Sequence, residues 1–391
     1  MSAPAHIAMV GSTAPSHVTP SLPLFRELVR RGHRVTYAIG SSLAPMVAAT
    51  GATPLEHPSS LPATDGDWGE DVVTGMTLFL DESIAVLPRL RSAFEPDPPA
   101  LVLHDIGGLA GPVLASRLGV PAVQLSPTFV AWEGYEEDMA EHIAELRASE
   151  GGRRYYARFG AWLAENGVDA HPDELLARPS RGLALIPRVL QPNADRVGPA
   201  FRFVGPCLDE AGRSGWTPGP PDGRPLLYVA FGTAYNDQLP VYRAVADRFG
   251  GGEWRVVMAV GERVDPAMIG PLPEGVEVHR WVDQLAVLEQ ASVFVTHAGM
   301  GGTMQSLWYG VPTVAVPQAV DQYANAQQLA DIGAGRCLSA EEATPRALED
   351  AVRAVAADPA IAARLAELRA EVRASGGAVR AADAVEEALE P

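Results

Sequence analysis

Two stretches of this chain carry residue types that could do chemistry. The first is HAGMGGT, His297 to Thr303, which follows the β-branched and aromatic run SVFVT (Ser292 to Thr296) and precedes a helical pattern from Thr303 to Trp308. Strand, glycine turn and helix, in that order, present bare backbone N–H groups and the positive end of a helix dipole to an anion. Packing of strand on helix is the plain alternative reading of such a turn. No G-x-x-x-x-G-K-[ST] sequence occurs, and the first strand runs into GSTAPSH rather than G-x-G-x-x-G, which argues against a P-loop and against a dinucleotide cofactor. The second stretch is His17, on the exit from that first strand. An imidazole that titrates near neutrality suits removal of a proton from a hydroxyl as a new bond forms. Asp105 closes LVLHD at another strand end, and His104 beside it alternates to the opposite face.

Apolar side chains gather in two further places. Met76, Phe79 and Leu80 share one face of a long helical stretch, Val72 to Phe94, that contains Pro88. Phe129, Trp132 and Tyr135 fall in the segment after a strand end. Such stripes are as readily core as site. As a site, they would line a wide apolar pocket for a large, flat or macrocyclic molecule.

The elements that must hold these residues alternate between strand and helix. His6–Val10, Arg34–Ala38, Leu101–Leu103, Ala122–Leu125 and Gly182–Ile186 read as buried strands. Thr19 with Pro20 reads as a helix start, Leu22, Phe25 and Val29 as its apolar face, and Gly32 as its end. Glu141 to Glu165 is charged and mostly helical. A second series begins with LLYVAFGT at Leu226 and continues through Arg255–Ala259, Val276–His279, Ser292–Thr296 and Thr313–Val316, and the tail from Pro345 is helical. The resulting division is a first domain over 1–205, a Gly/Pro-rich linker over 206–225, a second domain over 226–375 and a closing helical segment over 376–391. Two doubly wound parallel sheets, with ligands at the carboxyl ends of their strands, are the expected architecture.

Composition narrows the class. At 391 residues, 47% apolar and 20% charged, the chain is an ordinary globular protein of two domains. A net charge of −18 argues against nucleic-acid and anionic-membrane partners. Cys207 and Cys337 have no metal-ligand spacing and are expected to be reduced thiols. MSAPAHIAMVGST lacks a basic n-region, and no apolar run approaches the roughly 18 residues that cross a bilayer, so a cytoplasmic location is expected.

The motifs also carry a resemblance. Trp281-x-x-Gln284, HAGMGGT, and Asp321-Gln322 with Asn325 resemble the donor signature of family 1 glycosyltransferases, and most closely that of actinobacterial macrolide glycosyltransferases. The likeness extends through HVTPSL (His17 to Leu22), FLDES (Phe79 to Ser83) and LSPTFVAWEGYEED (Leu125 to Asp138). It implies the GT-B fold, two Rossmann-like domains facing a cleft, with the C-terminal helix packed back on the first domain. It implies that the Trp281 indole stacks on uracil, with Val282 beside it and Gln284 bonded to the nucleoside; such stacking contributes about 1–3 kcal/mol. His297 and the amides of Gly299, Gly301, Gly302 and Thr303 would hold the diphosphate, Thr233 would add a hydroxyl, and Asp321 and Gln322 would read the sugar, Gln322 as a glucose reader.

Two positions depart from the pattern: Gly302 stands where Ser is common and Gln305 where Glu is common. Gln305 keeps one carbonyl acceptor for the ribose and loses the charge. His17 matches the family's catalytic histidine, in HVTPSL where the family has H-V-N-P-S-L, and Asp105 matches the aspartate that orients it, on the logic of the hydrolase triad.

The resemblance therefore implies an inverting, hexose-transferring enzyme. It would use a UDP-sugar, with UDP-glucose expected, and a hydroxyl of a lipophilic natural product such as a macrolide, for inactivation or self-resistance. Flavonoid or polyphenol acceptors and, within the fold, a nucleotide-sugar epimerase are the alternatives. Asp65-Gly66-Asp67 has the D-x-D form of metal-dependent glycosyltransferases but sits in a polar loop without a preceding strand. No metal and no resident cofactor are expected; a homodimer is an open expectation.

Overall fold

A computed structural model describes residues 3–62, 68, 71–209, 215–233, 236–319 and 321–390. It divides into two compact units, Met1–Leu208 with Ser375–Pro391, and Asp209–Ala374.

The first unit is built on seven strands: β1 His6–Val10, β2 Arg34–Gly40, β3 Thr53–His57, β4 Leu101–Asp105, β5 Ala122–Ser126, β6 Gly182–Ala184 and β7 Phe201–Phe203. All pairings are parallel and the order is β3-β2-β1-β4-β5-β6-β7, so the winding reverses between β1 and β4. Period-two alternation gives each strand two buried faces. Ile7 and Met9 join Leu24, Phe25, Leu28, Ala381 and Val385 on one side. Ala8 and Val10 join Leu80, Leu87, Leu90, Phe159 and Trp162 on the other. The expected strands are present; β3 and β7, both edge strands, were not foreseen.

Helix boundaries differ at one informative place. The expected start at Thr19 is displaced: a helical turn already runs over Pro15–Val18, with Ala14 at its N-cap, and passes through a tight turn at Thr19–Ser21 into the helix Leu22–Arg30. Pro15 supplies the fixed φ that starts it. Val72–Phe94 is one helix with Pro88 inside it, begun by the Asp71 carboxylate accepting from the Thr74 amide. Glu141–Glu165 is two helices, Ala140–Ala148 and Glu150–Glu165, broken where Ser149 caps the second by accepting from Gly152 N.

The second unit holds β8 Leu226–Ala230, β9 Arg255–Ala259, β10 Val276–His279, β11 Val293–Thr296, β12 Thr313–Ala315 and β13 Gly335–Cys337. These too are all parallel, in the order β10-β9-β8-β11-β12-β13. Leu227 and Val229 face one core, Leu226 and Tyr228 the other. The edge strand β13 was not anticipated. The expected loose linker over 206–225 is only partly that. Trp216 stacks on His279 at 4.1 Å between ring centroids and accepts from Asp283 N at 2.7 Å, while Arg255 donates to the carbonyls of Gly219 and Pro220. These contacts bind its second half to the second unit.

The C-terminal helix Gly377–Leu389 belongs to the first unit, where it packs on Leu22–Arg30. Arg31 is the ionic centre of that contact. It donates to Glu27 at 2.8 Å and to Asp383 and Glu386 at 2.7 Å each, with its own side chain 10% exposed. His33 lies 3.1 Å from Glu386. Hydrogen bonding from Arg30, joined by Arg31 against a burial penalty, holds the Glu27 carboxyl down at about 2. A depressed carboxyl stabilises the fold above its unfolded value of 4.5, and that contribution is lost as pH falls toward 2. Arg31→Ala leaves three carboxylates without their shared cation. We expect urea unfolding to show a loss of about 1–3 kcal/mol; a change below about 0.5 kcal/mol would mean the helix docks on its apolar face alone.

Candidate functional site

His17 and Asp105 lie at the exits of β1 and β4, the two strands between which the winding of the first unit reverses. His17 Nδ1 is 2.9 Å from Asp105 Oδ1. The same oxygen accepts from Ser12 Oγ at 2.5 Å and from the Gly107 amide at 2.8 Å. Burial would raise the Asp105 carboxyl, but His17, the Ser12 hydroxyl and the Gly107 N–H together outweigh it and hold the group below the usual carboxylate range. An ionised Asp105 can only accept, so Nδ1 of His17 carries the proton and Nε2 keeps its lone pair. Gly107 and Gly108 are required here: a Cβ on Gly107 would come within 2.6 Å of the Phe79 ring, and one on Gly108 within 2.5 Å of the Val10 carbonyl.

A second polar layer supports this pair. Glu82 is buried and accepts from Ser60 N at 2.9 Å, Ser60 Oγ at 3.1 Å and Thr13 Oγ1 at 3.4 Å, while Thr13 Oγ1 accepts from Gly40 N at 3.0 Å. The exits of β1, β2 and β3 are thereby tied to the long helix. His104 is structural: burial pushes its imidazole down to about 4, and it lies 3.1 Å from the Asp105 carbonyl.

The acceptor-side candidates divide. Phe79 lies beside the dyad, its ring centroid 5.5 Å from that of His17 and 5.7 Å from that of Trp68. Met76 is half-buried against the core below the helix. Leu80 is fully buried in that core, one step along the helix from the Phe79 face, and also reaches the wall of the cavity between this helix and the two that follow. Trp132 packs edge-on to Tyr135 at 5.0 Å and donates to Asp138, and Phe129 is half-buried nearby in sequence. A largely apolar cavity of about 860 Å³ opens between the start of the long helix and the helices Ala140–Ala148 and Glu150–Glu165, with Val73, Thr77, Leu146 and Tyr155 in its wall.

The other cluster sits at the matching reversal in the second unit, at the exits of β8 and β11. After β11 the chain passes His297 and Ala298, which holds a left-handed φ of 61°, and enters the helix Met300–Tyr309 with Gly299 as N-cap. Thr296 Oγ1 accepts from Ala298 N, and Asn325 Nδ2 donates to the Ala298 carbonyl at 3.0 Å and to Asp321 at 3.0 Å, which keeps a strained alanine in place. The helix therefore begins three residues before the expected Thr303. The amides of Met300, Gly301 and Gly302 open its first turn and have no carbonyl a turn behind them. Thr303 departs from its expected role: its side chain is fully buried and its amide bonds to the Gly299 carbonyl at 3.0 Å. Burial lowers His297 to about 4, so its imidazole is neutral. Its ring lies so close to Gly232 and Gly299 that a Cβ on either would fall within 2.7 Å of it. Thr233 is exposed on the loop after β8, and buried Asn236 ties that loop by donating to the carbonyls of Gly232 and Thr233.

Trp281 presents a 52% exposed indole whose Nε1 donates to Glu262 at 2.9 Å. Val282 is half-buried and pairs with Trp216. Tyr228 donates to Gln284 Oε1 at 3.0 Å, and Gln284 Nε2 donates to Gln305 Oε1 at 2.5 Å. Asp321 is exposed, but Gln322 is 4% exposed and its carbonyl oxygen accepts from Gln318 N and Ala319 N. Gln322 thus braces the turn before its helix through its carbonyl oxygen. The order along the cluster is aromatic face, paired amides, helix N-terminus and carboxylate.

Among the described residues no group of three or more His, Cys, Asp or Glu could hold a metal ion. Asp65-Gly66-Asp67 lies outside those residues. No described helix is long and apolar enough to cross a membrane.

Comparison with known proteins fits this arrangement. The oleandomycin glycosyltransferase of Streptomyces antibioticus is 48% identical, over 99% of this chain and 91% of that protein. The chain belongs to the GT-B nucleotide-sugar glycosyltransferases. Residues 244–387 match the family model for the C-terminal domain of erythromycin biosynthesis protein CIII-like proteins. An NDP-glycosyltransferase of Bacillus subtilis, YjiC, is 33% identical over 97% of this chain and 96% of its own. Among solved structures, the glycosyltransferase of kitacinnamycin superposes with a TM-score of 0.92 at 44% identity, covering both chains completely. The calicheamicin glycosyltransferase CalG4 gives 0.86 at 32% identity, over 99% of this chain and 98% of that one.

Gly302 gives this glycosyltransferase a local test. A Cβ there would meet Phe294 at 3.4 Å and Thr296 Oγ1 at 3.7 Å, ordinary contact distances, on a helical backbone. Gly302→Ser should fold normally and tighten UDP binding by about three- to tenfold, since a hydroxyl to a charged group adds of order 1 kcal/mol. Isothermal titration reads this directly; unchanged or weaker binding would place the diphosphate away from this turn.

Proposed function

We propose that this glycosyltransferase moves glucose from UDP-glucose to a hydroxyl of a lipophilic natural product of the macrolide kind, with inversion at the anomeric carbon. The observation that carries the reading is the His17–Asp105 hydrogen bond beside the Phe79 ring, a general base held in one tautomer against an apolar wall. Nε2 of His17 takes the acceptor's hydroxyl proton as that oxygen bonds to the anomeric carbon. The bond from that carbon to the β-phosphate oxygen breaks on the opposite face, and nucleoside diphosphate leaves with the bonding pair. The imidazolium so formed is neutralised by the Asp105 carboxylate. Inversion of an α-linked donor gives a β-glycoside.

In the second unit the proposed donor lies with its base on Trp281, its diphosphate on the amides of Met300 to Gly302 with His297 and Thr233, and its sugar toward Asp321 and Gln322. Backbone amides and a helix terminus take the part of a divalent ion, so we propose that transfer needs no metal and survives EDTA. A macrolide acceptor is supported by the 48% identical relative named for oleandomycin. Masking a hydroxyl that an antibiotic needs for its action gives a producing cell self-resistance, and we propose that role, in the cytoplasm.

The test is product mass on a panel of macrolides and polyphenols, with UDP-glucose and other nucleotide sugars as donors. A new glucoside on a macrolide supports the proposal; polyphenol products alone would move the acceptor to that class. His17→Ala should lower kcat by about 10²–10⁴ while UDP affinity stays within about twofold. A parallel loss of UDP affinity would assign His17 to the donor instead.

A further inference from the structure

Three hydrogen-bond donors converge on one oxygen of the dyad carboxylate. Asp105 Oδ1 is reached by His17 Nδ1 at 2.9 Å, by Ser12 Oγ at 2.5 Å and by the Gly107 amide at 2.8 Å. A carboxylate oxygen offers two lone pairs, so the three donors compete for its charge. What Ser12 takes is withheld from His17.

Ser12 is held in that competition by its surroundings. It is 2% exposed, and the chain on either side of it is fastened. Gly11 N donates to the Ala38 carbonyl at 3.1 Å, while Thr13 Oγ1 donates to Glu82 at 3.4 Å and accepts from Gly40 N at 3.0 Å. The hydroxyl fits closely against the turn after β4, where a Cβ on Gly107 would fall 2.7 Å from Ser12 Oγ. The bond to Asp105 is therefore built into the exit of β1.

Other ionisable groups around the dyad have their own partners or stay neutral. From β4, burial pushes His104 down to about 4, and from β2, burial raises the Tyr37 phenol, so both are uncharged. From the long helix, Glu82 faces Thr13, Ser60 and His57, the last at 3.7 Å. Asp105 is the carboxylate bonded to His17.

We propose that Ser12 is a positioning residue for the transfer reaction: by sharing the Asp105 carboxylate with His17, it keeps that imidazole a weaker base. The inference rests on the reading of His17 as the general base. With Ser12 in place, the carboxylate holds the Nδ1 proton and neutralises only in part the imidazolium formed when the acceptor's proton reaches Nε2. That proton then passes readily to solvent before the next turnover. Without Ser12 the carboxylate would bind the imidazolium more tightly, and more of the enzyme would stand protonated in mildly acidic solution.

Ser12→Ala tests this with two readings on the full chain. The first needs no acceptor: in protein labelled at the histidine Cε1–H groups, the NMR signal that His17→Ala removes belongs to His17. That signal should titrate about 0.5–1 pH unit higher in Ser12→Ala than in the native protein. The second is the pH profile of kcat/KM for transfer from UDP-glucose to a macrolide. Its acid limb should move up by the same amount, so that below the limb the rate falls about three- to tenfold against its plateau. A His17 titration at its native position, with a native limb or with a rate lowered equally at every pH, would overturn the inference and leave His17 as the base. A titration that moves while the limb stays would remove His17 from that role, and the inference with it.

Discussion

The arrangement depends on one topological constraint, repeated in both units: the direction in which a parallel sheet is wound reverses between its first strand and the strand paired on the other side. At that point two neighbouring strands send their chains to opposite faces, and the space outside their carboxyl ends is left unfilled by connections. In the first unit those strands are β1 and β4, and they end at the segment leading to His17 and at Asp105. In the second they are β8 and β11, and they end at Thr233 and at His297 with its glycine turn. His17, Asp105, Thr233 and His297 sit on such exits, whereas Gln284 follows β10 and Asp321 and Gln322 follow β12. The interior strands are apolar on both faces and serve to hold the exits in register.

The two units use histidine in opposite ways, and the surroundings explain the difference. His17 faces an ionised carboxylate that is itself saturated by Ser12 and Gly107, so a proton gained on Nε2 is stabilised where it forms. His297 has no such partner and is enclosed by Gly232 and Gly299, so desolvation holds it neutral, down to about 4. On the proposed reading, one imidazole changes charge during the reaction and the other stays neutral beside the donor. This is the pattern expected when a base and a ligand anchor are made from the same residue type.

What could be read in the sequence followed from how local each signal is. Interior strands such as LLYVA and VFVT are short apolar runs bounded by glycine, and they stood out. The three missed strands, β3, β7 and β13, are all sheet edges; TPLEH, FRF and GRC are short and half-exposed and show no such run. The site residues recognised from sequence have distinctive types or spacing: His17, Asp105, Trp281 and the glycine turn. Those that escaped notice, Ser12, Thr13, Glu82 and Asn236, are ordinary polar residues whose role exists only through partners distant in the chain, as when Thr13 meets Glu82. Thr303 and Gln322 show the converse. Their positions in the motifs were plain, but whether a side chain faces a ligand or a core depends on helix phase and on turns that spacing alone does not specify.

On the proposed reading, the second cluster is a way for an acidic protein to hold a diphosphate. HAGMGGT contains no lysine or arginine, and the chain as a whole carries −18. A cationic clamp would attract substrate and product strongly and alike. Three amides at a helix start exert a short-range field of order half a charge, concentrated within the first turn. Such a field discriminates by position: it interacts modestly with the diester-like diphosphate of a bound sugar nucleotide. It interacts more with the terminal oxygen that gains charge as the glycosidic bond breaks. Binding that strengthens toward the transition state raises turnover, whereas uniform binding does not. If the proposed donor binds there, such a weak, directional cradle suits releasing its product as well as forming it.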